Sequence, residues 1–247
     1  MSLSTENDAK WVQAGVTQGW WRPTATHLPY YCREMLFRGI DFKGRSFFDI
    51  GCGNGGFLAW AELNGAADVL GIEPQAAGSQ PGAAARFEQL KRSLALSKVR
   101  IEFTTVQEFD ISGNCFDILF LHNSINHLDE PACISLLTDA AAQQAYVGIF
   151  EKLRKLTRKG GKLVLADCDR RNFFADIGVR NPIARSIEWH KHQSPAVWIR
   201  LAEAAGFGNA DLLWTSLPRY RDWTRALRNR VGAYFLNSHY RIILEAL

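Results

Sequence analysis

The 247-residue chain reads as an α/β protein, a seven-stranded, mostly parallel, doubly wound sheet with an antiparallel terminal strand and helices on both faces. Three features predict this. Short apolar runs alternate with helix-periodic stretches between residues 45 and 169, which is the pattern of βαβ units. A glycine-dense loop, "DIGCGNGG", follows the first of these runs and opens the first helical stretch. Near the C-terminus two apolar runs occur with no convincing helix-length amphipathic segment between them, so they should pair antiparallel at the sheet edge.

In chain order, "RSFFDIG" (45–51) is a buried strand, and "GFLAWAELNG" (56–65) has helical apolar spacing with a glycine stop. "ADVLGIEP" (67–74) is the second strand, 82–97 a helix, and "VRIEFTTV" (99–106) a third strand with period-two alternation. "CFDILFLHN" (115–123) is the fourth strand, and the helix after it should end near "RKGGK", with Gly160 and Gly161 as stop and turn before a fifth strand at 161–169. At 194–207 a helix is expected, with Ser194 as N-cap, Pro195 in the first helical position and Gly206 as the stop. Strands at 209–217 and 233–247 complete the sheet.

Composition narrows the class. Hydrophobic residues make up 47% of the chain and both charge signs are interspersed, so a sizeable core can form. No apolar run reaches the ~18 to 20 residues of a bilayer span, and the N-terminus lacks the pattern of a signal peptide, so a cytoplasmic protein is expected. Cys32, Cys52, Cys115, Cys133 and Cys168 are odd in number and contain no C-x-x-C pair, which favours buried thiols over a disulfide framework or zinc site. A formal charge of +4 is too mild to argue for nucleic acid by itself.

The glycine loop admits two readings. As Gly51-x-Gly53-x-x-Gly56 it matches a dinucleotide fingerprint; as Asp49-x-Gly51-x-Gly53-x-Gly55 it suggests S-adenosylmethionine. In an open α/β sheet ligand belongs outside the carboxyl ends of the strands. Residues 49–56, Glu73, 106–108, 122–127 and 167–169 all fall there. The dinucleotide reading weakens because the chain continues into a terminal hairpin instead of a second mononucleotide half, and because Asp49 stands just before the first glycine.

That layout closely resembles the class I S-adenosylmethionine-dependent methyltransferase family. "FFDIGCGNG" is similar to its first motif and "ADVLGIEP" to its acidic second strand. "FDILFLHNSINHL" resembles its fourth strand and following loop, "LRKLTRKGGKLVLAD" its approach to the fifth strand, and "LAEAAGF" the helix before its terminal hairpin. The resemblance runs from about residue 40 onward and implies a methyltransferase domain at 40–247, an N-terminal helical lid segment at 1–39 and a lid insertion at about 170–193. It also implies S-adenosyl-L-methionine as cofactor. Gly51, Cys52, Gly53 and Gly55 would approach its amino-acid end, with Cys52 as a space-filler, and Asp49 would attract its amino group. Glu73, followed by Pro74, would accept the ribose hydroxyls. Val106 would pack the adenine, with Gln107 or Glu108 bonding its amine, and His122 and Asn123 would contact the methionine part.

A sulfonium methyl is already activated, so the protein's task is to align donor and acceptor, exclude water and, for a hydroxyl, supply a base. His127, His190 and His192 are the favoured catalytic candidates, with Asp167 and Asp169 beside them; His127 could instead be structural, beneath the cofactor. A small-molecule acceptor, methylated on oxygen and carrying an anionic group if the lid arginines bind it, is expected, with no membrane partner and no resident metal. The alternatives are an RNA acceptor, held by the interleaved arginines and aromatics of "RYRDWTRALRNR" (219–230), or a non-catalytic cofactor-binding protein.

Overall fold

A computed structural model describes residues 6–74 and 82–247; the first five residues of the expected lid segment lie outside them. In chain order the elements are α1 (Glu6–Thr17), α2 (Leu28–Tyr31), a π-helical turn (Cys32–Leu36), β1 (Ser46–Ile50), α3 (Gly56–Leu63), β2 (Asp68–Ile72), α4 (Ala83–Ser93), β3 (Val99–Glu102) and β4 (Phe116–His122). There follow α5 (Glu130–Ser135), α6 (Ala140–Leu156), β5 (Thr157–Cys168), α7 (Phe173–Asp176), α8 (Pro195–Ala204), β6 (Phe207–Trp214), α9 (Arg230–Phe235) and β7 (His239–Ala246).

The seven strands lie in the order β3-β2-β1-β4-β5-β7-β6. The first five of that order run parallel, and β7 is antiparallel to both β5 and β6. Period-two alternation sends Phe47, Ile118 and Phe120 to one face, against Trp60 of α3 and Trp11 of α1. Phe48, Leu119 and Leu121 face the other side, against Tyr146 and Phe150 of α6 and Trp198 of α8. Both faces are therefore covered, as a parallel sheet requires. Among the described residues no helix is long and apolar enough to cross a membrane.

Three local readings need correction. The run 233–247 is not one strand. Asn229 caps a short helix by accepting the Gly232 N–H at 2.9 Å, that helix ends at Phe235, and Ser238 turns the chain at φ +49° before β7 begins. Gly160 and Gly161 do not precede the fifth strand but lie inside it, where the pairing slips from Phe116↔Thr157 to Ile118↔Lys162; Gly160 absorbs the irregularity at φ +76°. Ser194 occupies the N-cap position without a side-chain cap, while Pro195 and Gly206 (φ +95°) stand as expected at the two ends of α8.

The flanking segments are tied to the sheet. Trp11 donates its indole N–H to the Gly56 carbonyl at 2.8 Å and packs edge-on against Trp60 at 4.8 Å. Arg241, on β7 and 1% exposed, donates to the Met35 carbonyl at 3.1 Å and to the Asp211 carboxylate at 2.6 Å. Within 170–193, the buried Asn172 donates to the Tyr234 carbonyl at 3.0 Å and to Ser238 Oγ at 2.9 Å, and the buried Asn181 donates to Asn172 Oδ1 at 3.0 Å. These bonds hold the 170–193 segment against the turn that leads into β7.

Candidate active site

Strands β1, β2, β4 and β5 end at one edge of the sheet, and β7, running the other way, begins there. The loop after β1 turns under Ile72, whose carbonyl accepts the N–H groups of Gly51 at 2.9 Å and Cys52 at 3.1 Å. Gly51, Gly53 and Gly55 have φ of +79°, +54° and +77°. At Gly51 glycine is also required by space, since a Cβ there would fall 2.6 Å from Ser124 Cβ.

A cleft of about 490 Å³ opens along this edge, lined by Gly51, Glu73, Pro74, Val106, Gln107 and Asn123 among others. Val106 is a buried part of its wall and Asn123 (φ +52°) is exposed at its mouth. Glu73 Oε2 accepts the Gly53 N–H at 2.9 Å, joining the acidic strand end to the glycine loop. The Gln107 amide is turned away to the Leu128 carbonyl, to which it donates at 2.6 Å.

Below the loop, Asp49 is 1% exposed and its Oδ2 has no hydrogen-bond partner among the described residues. Burial first, and then the charge of Glu73, push its carboxyl well above the usual carboxylate range. An orphaned buried carboxylate beside a glycine cradle fits a ligand that brings a cation, as the amino group of S-adenosylmethionine would. A raised carboxyl favours the proton-bound fold, so in the ligand-free protein Asp49 costs stability as pH rises from its unfolded value through the folded one. A bound ammonium reverses that cost. Affinity for S-adenosylhomocysteine, which keeps the same amino group, is expected to rise with pH through the Asp49 titration, with proton release on binding. Asp49→Asn should weaken binding by roughly ten- to a hundredfold, the loss of one charge-assisted bond, and flatten that pH dependence. Calorimetry in buffers of different ionisation enthalpy measures both, and an unchanged slope in the variant would rule out this role.

Several expected residues stand elsewhere. Cys52 points away from the cleft toward Gly71 and Leu58, and burial raises its thiol well above the usual value, in keeping with a space-filler. His127 is at the rim and exposed, with Nδ1 3.1 Å from Glu130, not buried beneath the cleft. His190 is exposed on the turn at 189–191. His122 turns inward, its Nε2 3.0 Å from the Tyr31 hydroxyl.

His122 belongs to a second group of polar side chains at the ends of β4, β5 and β7. Burial lowers its pKa to about 4. Its ring lies 5.8 Å from that of His239, which burial and then the charges of His122 and His192 depress to about 3; both imidazoles are therefore neutral at physiological pH. His239 Nδ1 lies 3.1 Å from Thr215 Oγ1. His192, 9% exposed, places Nδ1 2.9 Å from Oδ1 of the fully buried Asp167, and its Nε2 makes no hydrogen bond among the described residues. Asp167 Oδ2 has no hydrogen-bond partner among the described residues. Tyr31, Thr215 and His239 were not legible as site residues: they lie on three separate segments, and His239 sits in a run whose alternation reads only as strand.

The sheet order and the glycine loop are those of a class I S-adenosylmethionine-dependent methyltransferase. A methyltransferase domain model matches residues 41–206, and the chain belongs to that family. Among curated proteins it is similar to a tRNA U34 carboxymethyltransferase of Desulfotalea psychrophila, 29% identical over 111 residues. That match takes in 45% of this chain and 30% of the relative, so the chain spans under a third of the curated relative's length. Among solved structures it shares its fold with a methyltransferase from Aquifex aeolicus (TM-score 0.59, 13% identity, 96% of this chain and 98% of that one). It also shares it with geranyl diphosphate C-methyltransferase from Streptomyces coelicolor, crystallised with S-adenosyl-L-homocysteine (TM-score 0.54, 15% identity, 82% and 73%).

Proposed function

We propose that this chain methylates a hydroxyl oxygen of a small-molecule acceptor, with His192 as general base and Asp167 as the residue that positions it. The observation that supports this most is the buried Asp167–His192 pair, 2.9 Å apart, at the same sheet edge as the cofactor cleft. When bound, S-adenosylmethionine supplies a methyl group on a sulfonium and leaves as S-adenosylhomocysteine. Asp49, Glu73 and the loop of Gly51, Gly53 and Gly55 hold its amino-acid and ribose ends, and Val106 packs its adenine. With Nδ1–H donating to Asp167, His192 Nε2 takes the acceptor hydroxyl's proton as the oxygen–carbon bond forms, and the Asp167 carboxylate stabilises the resulting imidazolium. The segments 6–39 and 170–193 shield the edge from water.

An RNA acceptor is the second reading, favoured by Trp223, which is 96% exposed among Arg219, Arg221 and Arg225. The curated relative named for tRNA points the same way. Incubation with methyl-labelled S-adenosylmethionine, a panel of hydroxylated small acceptors and, in parallel, total tRNA separates the two. Label in a small-molecule methyl ether, formed in step with S-adenosylhomocysteine, is the expected result. Label confined to RNA would replace this reading with the second, and label in neither would leave a cofactor-binding protein without transferase activity.

A further inference from the structure

One strand-end further along the same edge a separate pocket of about 480 Å³ opens, lined by Asp169, Arg171, Trp214, Arg230, Tyr234 and Ser238 among others. It adjoins the histidine cluster on two sides. Asp169 lies two residues past Asp167, about 7 Å in extended chain, and its N–H donates to the carbonyl of Ser238, the neighbour of His239, at 2.8 Å. The inner end of the pocket is acidic and buried: Asp169 is 8% exposed and accepts the Arg171 N–H at 3.1 Å. Its outer end is basic. Arg171 is neutralised by Asp176 at 2.7 Å, which also accepts the Tyr234 hydroxyl at 2.8 Å. Arg230 is exposed and forms no ion pair among the described residues.

The surrounding charge is uneven. Segments 170–193 and 218–231 hold ten Arg and Lys against three Asp and Glu, more than the chain's whole formal excess of +4, so the remainder is net acidic. Trp214 and Tyr234 offer flat walls between the buried carboxylate and the exposed guanidinium. We infer that this pocket is the acceptor site and selects a hydroxylated ring bearing a carboxylate or phosphate monoester, with Arg230 as counter-charge and Asp169 accepting a ring hydroxyl. This inference rests on the methyl-transfer reading above. Here a carboxylate and a phosphate are one chemistry, a compact oxyanion opposite a single arginine.

The test is ¹⁹F NMR titration of the S-adenosylhomocysteine-loaded protein with 3-fluoro-4-hydroxybenzoate, 3-fluoro-4-hydroxyphenyl phosphate and the uncharged 3-fluoro-4-hydroxybenzyl alcohol. At least one anionic probe should bind, and the alcohol about tenfold more weakly or not at all. Arg230→Gln should weaken the anionic probe by about tenfold, one charge-assisted bond, without changing S-adenosylhomocysteine affinity. Arg219→Gln, in the exposed basic segment, should leave probe binding unchanged. Failure of both anionic probes to bind, equal binding by Arg230→Gln, or an equal loss in Arg219→Gln would overturn the inference, the last by showing diffuse charge attraction. Should S-adenosylhomocysteine itself fail to bind, the methyl-transfer reading fails separately, and the same titration of the unloaded protein still tests the pocket.

Discussion

Gly51→Ala is expected to lower the melting temperature by about 4 to 24 °C and to remove stabilisation by S-adenosylhomocysteine. Two costs combine. At φ +79° an alanine is held in a strained backbone region worth about 1–3 kcal/mol, and its Cβ would fall 2.6 Å from Ser124 Cβ. Ser124 cannot retreat freely, because it is buried and its hydroxyl donates to the Ile50 carbonyl at 2.7 Å. The clash therefore drives the β1 and β4 loops apart, adding an overpacking cost of about 1–3 kcal/mol. Together these give about 2–6 kcal/mol, which at roughly 2–4 °C per kcal/mol in a chain of this size is about 4 to 24 °C. Gly53→Ala is the control, since φ is +54° but a Cβ there meets nothing within 4 Å among the described residues. It should lose only the backbone part. Equal losses in the two variants, read by thermal unfolding, would refute the steric component.

The same comparison shows what could be read from the chain. Apolar runs and glycine-marked turns located all seven strands, because β1, β2 and β4 are buried on both faces along nearly their whole length and their apolar runs are bounded by polar or glycine residues, while the edge strand β3 shows the alternation of a half-exposed strand. Where alternation misled, a local backbone event had no apolar signature. Asn229 as a helix cap and Ser238 at positive φ break the run 233–247, yet the side chains between them are as apolar as those of a strand. The cleft along the sheet edge was legible for a related reason: Gly51 and Glu73 follow the ends of β1 and β2 directly, so placing those strands places them, while Val106 lies in the loop four residues past the end of β3. The histidine cluster was only half legible. His190 and His192 are equivalent in sequence, and burial separates them: His192 turns inward to Asp167, while His190 faces solvent. Tyr31 and His239 reach the cluster through tertiary packing across most of the chain, which no spacing encodes.

If His192 is the base, Asp167→Asn should reduce kcat by about 10²- to 10⁴-fold, the usual worth of a positioned proton acceptor, with S-adenosylhomocysteine affinity unchanged. An amide at this position can donate to Nδ1, and the imidazole proton then shifts to Nε2, so the nitrogen facing the hydroxyl loses its lone pair while the ring stays in place. His192→Gln should produce a loss of similar size, and the double variant should be no worse than either single one, because the two residues act as one unit. With His122 at about 4 and His239 at about 3, neither ring changes charge near neutrality. A limb in the rate–pH profile that vanishes in His192→Gln is thus assigned to His192 and not to its neighbours. His190→Gln, at the exposed position two residues away, should turn over as the parent does. A purely structural role for Asp167 would appear instead as a lower melting temperature with kcat largely preserved, because packing then fails while the proton acceptor survives.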